Sequence, residues 1–189
     1  MARKLKNVLP SIHLSRGRRL KKPGTAPGTI EHIGEQHLEE IKIKVHDYDE
    51  EHLQEISIDK IQKAKPYLET PSKTWITVSG LHDTDKLKSI WDFFNLHPLI
   101  QEDIVHTSQR PKVESYDNCV FFVLRILTYS QENKRIETEQ ISIVLGDNYV
   151  LSFQESDRDY FAPIMNRLAV KDSRIRKHGP DYLTYALID

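Results

Sequence analysis

Cysteine is nearly missing from this chain of 189 residues, where Cys119 stands alone. A single thiol forms no internal disulfide, so a disulfide-stapled scaffold is excluded. At the head of an apolar run this thiol is expected to be buried and inert. Long hydrophobic runs are missing as well. The longest, Cys119-Val-Phe-Phe-Val-Leu124, falls far short of the ~20 residues that cross a bilayer as a helix. The first residues lack the charged, apolar and small order of a secretory signal. Taken by itself, the chain is expected to be a soluble cytosolic domain. Acidic side chains are absent from residues 1–22, which carry eight of the 27 basic residues. The other 19 basic residues face 28 acidic ones in residues 23–189, a net charge of −9. An acidic body suits a protein that handles cations. Also missing are Gly-x-Ser-x-Gly, a phosphate-binding loop and His-Glu-x-x-His, so no hydrolase is expected. Repeats and low-complexity segments are absent, and the length suits one domain with a sizeable core.

What is present reads as alternating strands and helices. Pro23-Gly24 and Pro27-Gly28 punctuate the end of the basic arm, expected to be disordered over 1–26. Ile41, Ile43 and Val45 alternate with polar residues, the period of a half-buried strand. Leu53, Ile56 and Ile61 among charges predict a helix from Asp49 to Lys65, ended by Pro66. Trp75, Ile76 and Val78 predict a strand running into Gly80. Asp83 or Thr84 caps a helix whose Leu87, Ile90, Trp91 and Phe94 share one face. Pro98 opens a short helix over residues 98–107. Residues 112–116, 119–130, 135–145 and 149–154 predict consecutive strands, joined by hairpin turns at 131–134 and 146–148. A helix is expected from Arg158 to Val170, then a basic loop from Lys171 to Lys177. A β-α-β order early and hairpins later imply an α/β fold, a mixed, largely antiparallel sheet sandwiched between helical layers over residues 27–178. Residues 179–189 predict a final helix, apolar nearly all round. It stops on Asp189 with no glycine cap and a negative charge at the negative end of its dipole. This predicts a helix cut inside a longer one.

The stretch His97-Pro-Leu-Ile-Gln-Glu-Asp-Ile104 sets two adjacent carboxylates, Glu102 and Asp103, on the short helix. Gln109-Arg-Pro-Lys-Val-Glu114 then turns into a strand, because the residue before a proline leaves the helical region. With Thr74 to Leu81, Tyr116 to Leu124, Glu139 to Ser142, Val150 to Gln154 and Asp181 to Asp189, these segments resemble the N-terminal cytoplasmic domain of CorA-type magnesium and cobalt transport proteins. The resemblance runs from about Pro27 to the last residue. The family's Gly-Met-Asn signature is not in this chain, and Ser108 stands where the family pattern carries a His before the Gln.

The resemblance implies a regulatory, ion-sensing domain of a divalent-cation transporter or channel, not an enzyme. It implies a homopentamer in the cell inner membrane with this segment on the cytoplasmic side. Asp103, Glu102 and Asp189 match the family's regulatory metal positions between neighbouring copies. The last helix matches the start of a long stalk helix running towards the membrane. The ion is Mg2+, with Co2+, Ni2+ or, as in the zinc-transporting branch, Zn2+ as alternatives. Adjacent helix residues point about 100° apart, so Glu102 and Asp103 do not grip one ion from the same face alone. His106, one turn after both, invites cobalt, nickel or zinc more than magnesium, with a capping role as the plainer alternative. A nucleic-acid-binding module resting on the basic arm is the other reading. The strands lack an interleaved basic and aromatic platform, so no nucleic-acid partner is expected.

Overall fold

The computed structural model describes residues 36–189. The expected basic arm, 1–26, lies outside these residues. Strand β1, Lys42–Tyr48, runs antiparallel to β2, Leu53–Ile58, and to β3, Lys73–Ser79. A 3-10 turn, Ile61–Ala64, and the four-residue helix α1, Lys65–Leu68, join β2 to β3. Then come α2, Thr84–Phe93, and α3, Pro98–Val105. Strands β4, Lys112–Tyr116, β5, Cys119–Ser130, β6, Arg135–Leu145, and β7, Tyr149–Gln154, form where the sequence predicts them. Helices α4, Ala162–Ala169, α5, Arg174–Lys177, and α6, Pro180–Ile188, complete the chain.

The seven strands form one sheet in the order β2-β1-β3-β7-β6-β5-β4. Only β3 and β7 run parallel; every other neighbour is antiparallel. The sheet is mixed and largely antiparallel, as the early β-α-β order and the later hairpins imply. On one face Val45, Ile76, Phe121 and Leu151 pack against Leu87, Ile90 and Trp91 of α2 and Ile100 and Ile104 of α3. On the other, Trp75, Ile141 and Val150 pack against Leu168 of α4, Ile175 of α5 and Leu183 of α6. Period-two alternation along central strands supplies both faces, so each helical layer has its own core. Gly80 ends β3 at φ +93°, a left-handed conformation that glycine adopts freely, and donates its N–H to Gln154 O at 2.9 Å.

One expected element is wrong. Asp49 to Lys65 is not a helix but a hairpin turn, strand β2 and the short helical turns after it. The Asp49 carboxylate accepts from Glu51 N at 2.7 Å and His52 N at 2.8 Å, and Asp49 N donates to His52 O at 3.1 Å. An aspartate that satisfies the backbone just ahead of it favours a turn over a helix. The turn folds Leu53–Ile58 back onto β1. The helix expected from Arg158 to Val170 is shorter, Ala162–Ala169, and the basic loop after it contains α5.

Candidate metal centre

Asp83 caps α2 by accepting from Lys86 N at 3.0 Å. Three residues past that helix's end, Leu96 opens the approach to α3. Pro98 takes the first helical position of α3, where its missing N–H leaves no bond unmade. His97 caps it, its Nδ1 accepting from Leu99 N at 3.2 Å. Ile100, Ile104 and Val105 are buried in the core under the sheet. Their burial fixes the helix's rotation and turns Asp103 towards edge strand β4, where it is 7% exposed.

Strand β4 alternates cleanly. Lys112, Glu114 and Tyr116 are half-buried, while Val113 and Ser115 between them face outward. Lys112 pairs in register with Val123, Glu114 with Phe121 and Tyr116 with Cys119, so the three share the α3 side of the sheet. Lys112 Nζ lies 2.7 Å from Asp103 Oδ2 and 2.9 Å from Glu114 Oε1, bridging two carboxylates. Tyr116 OH donates to Glu114 Oε2 at 2.9 Å. Burial alone lowers the Lys112 pKa, but hydrogen bonds and charge from Asp103 and Glu114 outweigh it and raise it above the ordinary value. The Lys112 hydrogen bond, with that of Tyr116, holds Glu114 below the usual glutamate range. Burial, followed by the bond to Glu114, pushes the Tyr116 phenol up to about 12.

The other oxygen of Asp103 is pinned from the loop. Gln109 Nε2 donates to Asp103 Oδ1 at 2.6 Å and lies 2.9 Å from His106 Nδ1. An amide nitrogen only donates, so His106 Nδ1 accepts, and its proton sits on Nε2, which donates to Ser108 Oγ at 3.0 Å. Both ring nitrogens of His106 are thereby engaged in bracing the loop rather than turned to an ion. Gln140 of β6 ties the loop to the sheet, accepting from Gln109 N at 3.1 Å and donating to Asp103 O at 2.9 Å. Arg125 of β5 donates to Thr107 O at 3.1 Å and Gln109 O at 3.0 Å. The result is a carboxylate with little freedom to rotate.

The expected site residues separate. Asp103 and Glu102 are neighbours on α3; Glu102 is half-buried, and its carbonyl accepts from His106 N at 3.0 Å. Asp189 is exposed at the end of α6, on the helical layer across the sheet from α3. Among the described residues, no group of three or more His, Cys, Asp or Glu side chains is placed to hold a metal ion. The donors near Asp103 are carboxylate oxygens, which suit hard cations that keep most of their water. Sequence reasoning missed Lys112 and Gln109. The signal was there in Lys112-Val-Glu114, two charged residues two apart on an edge strand and therefore on one face.

Fold and site together define an α/β domain with helical layers on both faces of a mixed sheet and a braced carboxylate at the sheet edge. Residues 72–189 match the family described as CorA-like Mg2+ transporter protein. The chain is 39% identical over 168 residues to the cobalt/magnesium transport protein CorA of Thermotoga maritima, covering 89% of this chain and 48% of that protein. It shares its fold with the full-length CmaX protein, TM-score 0.59 at 11% identity, over 81% of this chain and 46% of the other. The soluble domain of CorA from Methanocaldococcus jannaschii gives a TM-score of 0.54 at 15% identity, over 77% and 53%. This chain belongs to the CorA-like Mg2+ transporter family, whose members are transporters rather than enzymes. It spans about half the length of the Thermotoga relative. None of its described helices is long and apolar enough to cross a membrane.

Proposed function

We propose that this chain is the cytoplasmic, ion-sensing part of a divalent-cation transporter of the cell inner membrane, assembled as a homopentamer. Mg2+ is its principal ion and Co2+ the alternative. Divalent ions bound by Asp103 and Glu102 of one copy and Asp189 of a neighbour hold adjacent copies together and favour the closed state. Family membership supports the transport class. The observation that carries the sensing reading is the fixed Asp103 carboxylate at the sheet edge, with Glu102 beside it and Asp189 on the opposite layer. Among the described residues no three such ligands of one copy come together, and sharing an ion between copies adds the carboxylate of Asp189 to those of α3.

The physics is electrostatic. Two carboxylates about 6 Å apart across a partly wet seam repel by roughly 3 kcal/mol at an effective dielectric near 20. A divalent ion between them converts that repulsion into attraction, and magnesium needs only one or two carboxylates beside its own waters. When ion is scarce, the seam loosens. The all-oxygen donors and the engaged nitrogens of His106 favour magnesium over the zinc-transporting alternative. Calorimetric titration of MgCl2 into the wild-type chain and Asp103→Asn tests this. Binding weakened at least ten-fold in the variant is expected; equal affinity in both excludes the reading.

A further inference from the structure

Asp103 already has a cation. Its Oδ2 is 2.7 Å from the Lys112 ammonium, while Gln109 fixes Oδ1, so one oxygen is left for which ammonium and metal ion must compete. Glu114 lies on the far side of the ammonium at 2.9 Å and is itself steadied by Tyr116 at 2.9 Å. Lysine carries its charge on a flexible four-carbon stem, so Nζ can leave one carboxylate without leaving the other. We propose that Lys112 is a tethered competitor for the divalent-ion site: it neutralises Asp103 when ion is scarce and withdraws onto Glu114 when ion binds. This rests on the reading of Asp103 as an ion ligand.

The consequence is a threshold. Without an internal cation, a bare pair of acids would take ion at low concentration and keep the seam shut. With Lys112 in place, each binding event must break a charge-assisted bond of 2.7 Å, so affinity is set lower. Glu114 works in the opposite sense, since it gives the displaced ammonium a second partner. Lys112 and Glu114 are therefore residues that tune ion affinity without touching the ion.

Two substitutions of opposite effect separate this from a merely structural role. Lys112→Met keeps the apolar stem and removes the charge; Glu114→Gln keeps the shape and removes the parking place. Calorimetric titration with MgCl2 is run on the 189-residue chain, on both variants, on their double mutant and on Asp103→Asn, with circular dichroism confirming the fold of each. Lys112→Met is expected to bind Mg2+ about five-fold more tightly, the scale of a partly exposed ion pair. Glu114→Gln is expected to bind more weakly, and that loss is expected to vanish in the double mutant, because Glu114 acts through Lys112. Asp103-dependent binding that is unchanged or weaker in Lys112→Met overturns the competitor role and leaves the ion site standing. A Glu114→Gln loss that persists without Lys112 makes Glu114 a direct ligand and also overturns it. Absence of Asp103-dependent binding in every protein overturns the ion-site reading itself.

Discussion

His46 shows what burial does to one titratable group. It is 4% exposed on β1 and stacks on Trp75 with ring centroids 4.9 Å apart. Burial lowers its pKa from 6.5 to about 4, against the upward pull of Glu55 and with a smaller downward push from Lys44. The folded state binds this proton later than the unfolded chain. Its contribution is therefore fully present above about pH 6.5 and lost as pH falls towards 4. Between pH 7 and pH 5 this single group is expected to cost about 2 kcal/mol of stability by proton linkage. His52 has the opposite sign. A hydrogen bond to Asp47, helped by Asp49, raises its pKa, so its contribution is present below about pH 6.5 and lost as pH rises through the raised value. Urea unfolding at pH 7 and pH 5 checks the balance. His46→Gln is expected to flatten the loss, and an unchanged pH slope would contradict the assignment.

Elements in this fold are locked by a few buried polar anchors. Glu139 of β6 accepts from Ser156 N at 2.7 Å, Ser156 Oγ at 2.6 Å and Tyr160 OH at 2.7 Å, fixing the segment between β7 and α4. Glu139→Ala leaves three donors without an acceptor and is expected to lower stability by about 2–3 kcal/mol. Chemical denaturation measures it; a loss under ~0.5 kcal/mol would show that water replaces the carboxylate without cost. The same segment explains why α4 starts later than its sequence suggests. Asp157 pairs with Lys42 at 2.6 Å and Arg158 with Glu137 at 2.8 Å, holding the chain out of a helix before Ala162. Such contacts cross the sheet and leave no local pattern. The central strands were legible because both their faces are buried and their apolar residues alternate or run on. Strand β2 was not. It is an edge strand whose side chains are exposed or half-buried, so its partner β1 rather than its own composition makes it a strand. The Asp49 turn could have been read from Asp49-Glu50-Glu51-His52, had the aspartate been weighed as a turn-former.

At the scale of the whole molecule, the sheet is a wall between two helical layers, with α3 on one side and α6 on the other. The carboxylate pair of α3 was plain from adjacency in the chain. The Lys112 contact was not, because it joins a helix to an edge strand through a loop whose shape depends on Gln109, Gln140 and Arg125. The separation of Asp103 from Asp189 follows from topology, and under the proposed reading an ion is shared between assembled copies. Association should then depend on ion. Sedimentation of the chain is expected to show heavier species with 20 mM MgCl2, on the order of the concentrations that fill weak oxygen sites. Asp103→Asn is expected to stay at its ion-free mass.

The most direct measurement is anomalous diffraction from crystals of this chain grown with CoCl2. A cobalt peak is expected against Asp103 Oδ2, with a carboxylate of a second copy on its other side and Lys112 turned to Glu114. Cobalt absent from Asp103, with Lys112 still bonded to that oxygen at saturating metal, would contradict the shared-ion reading.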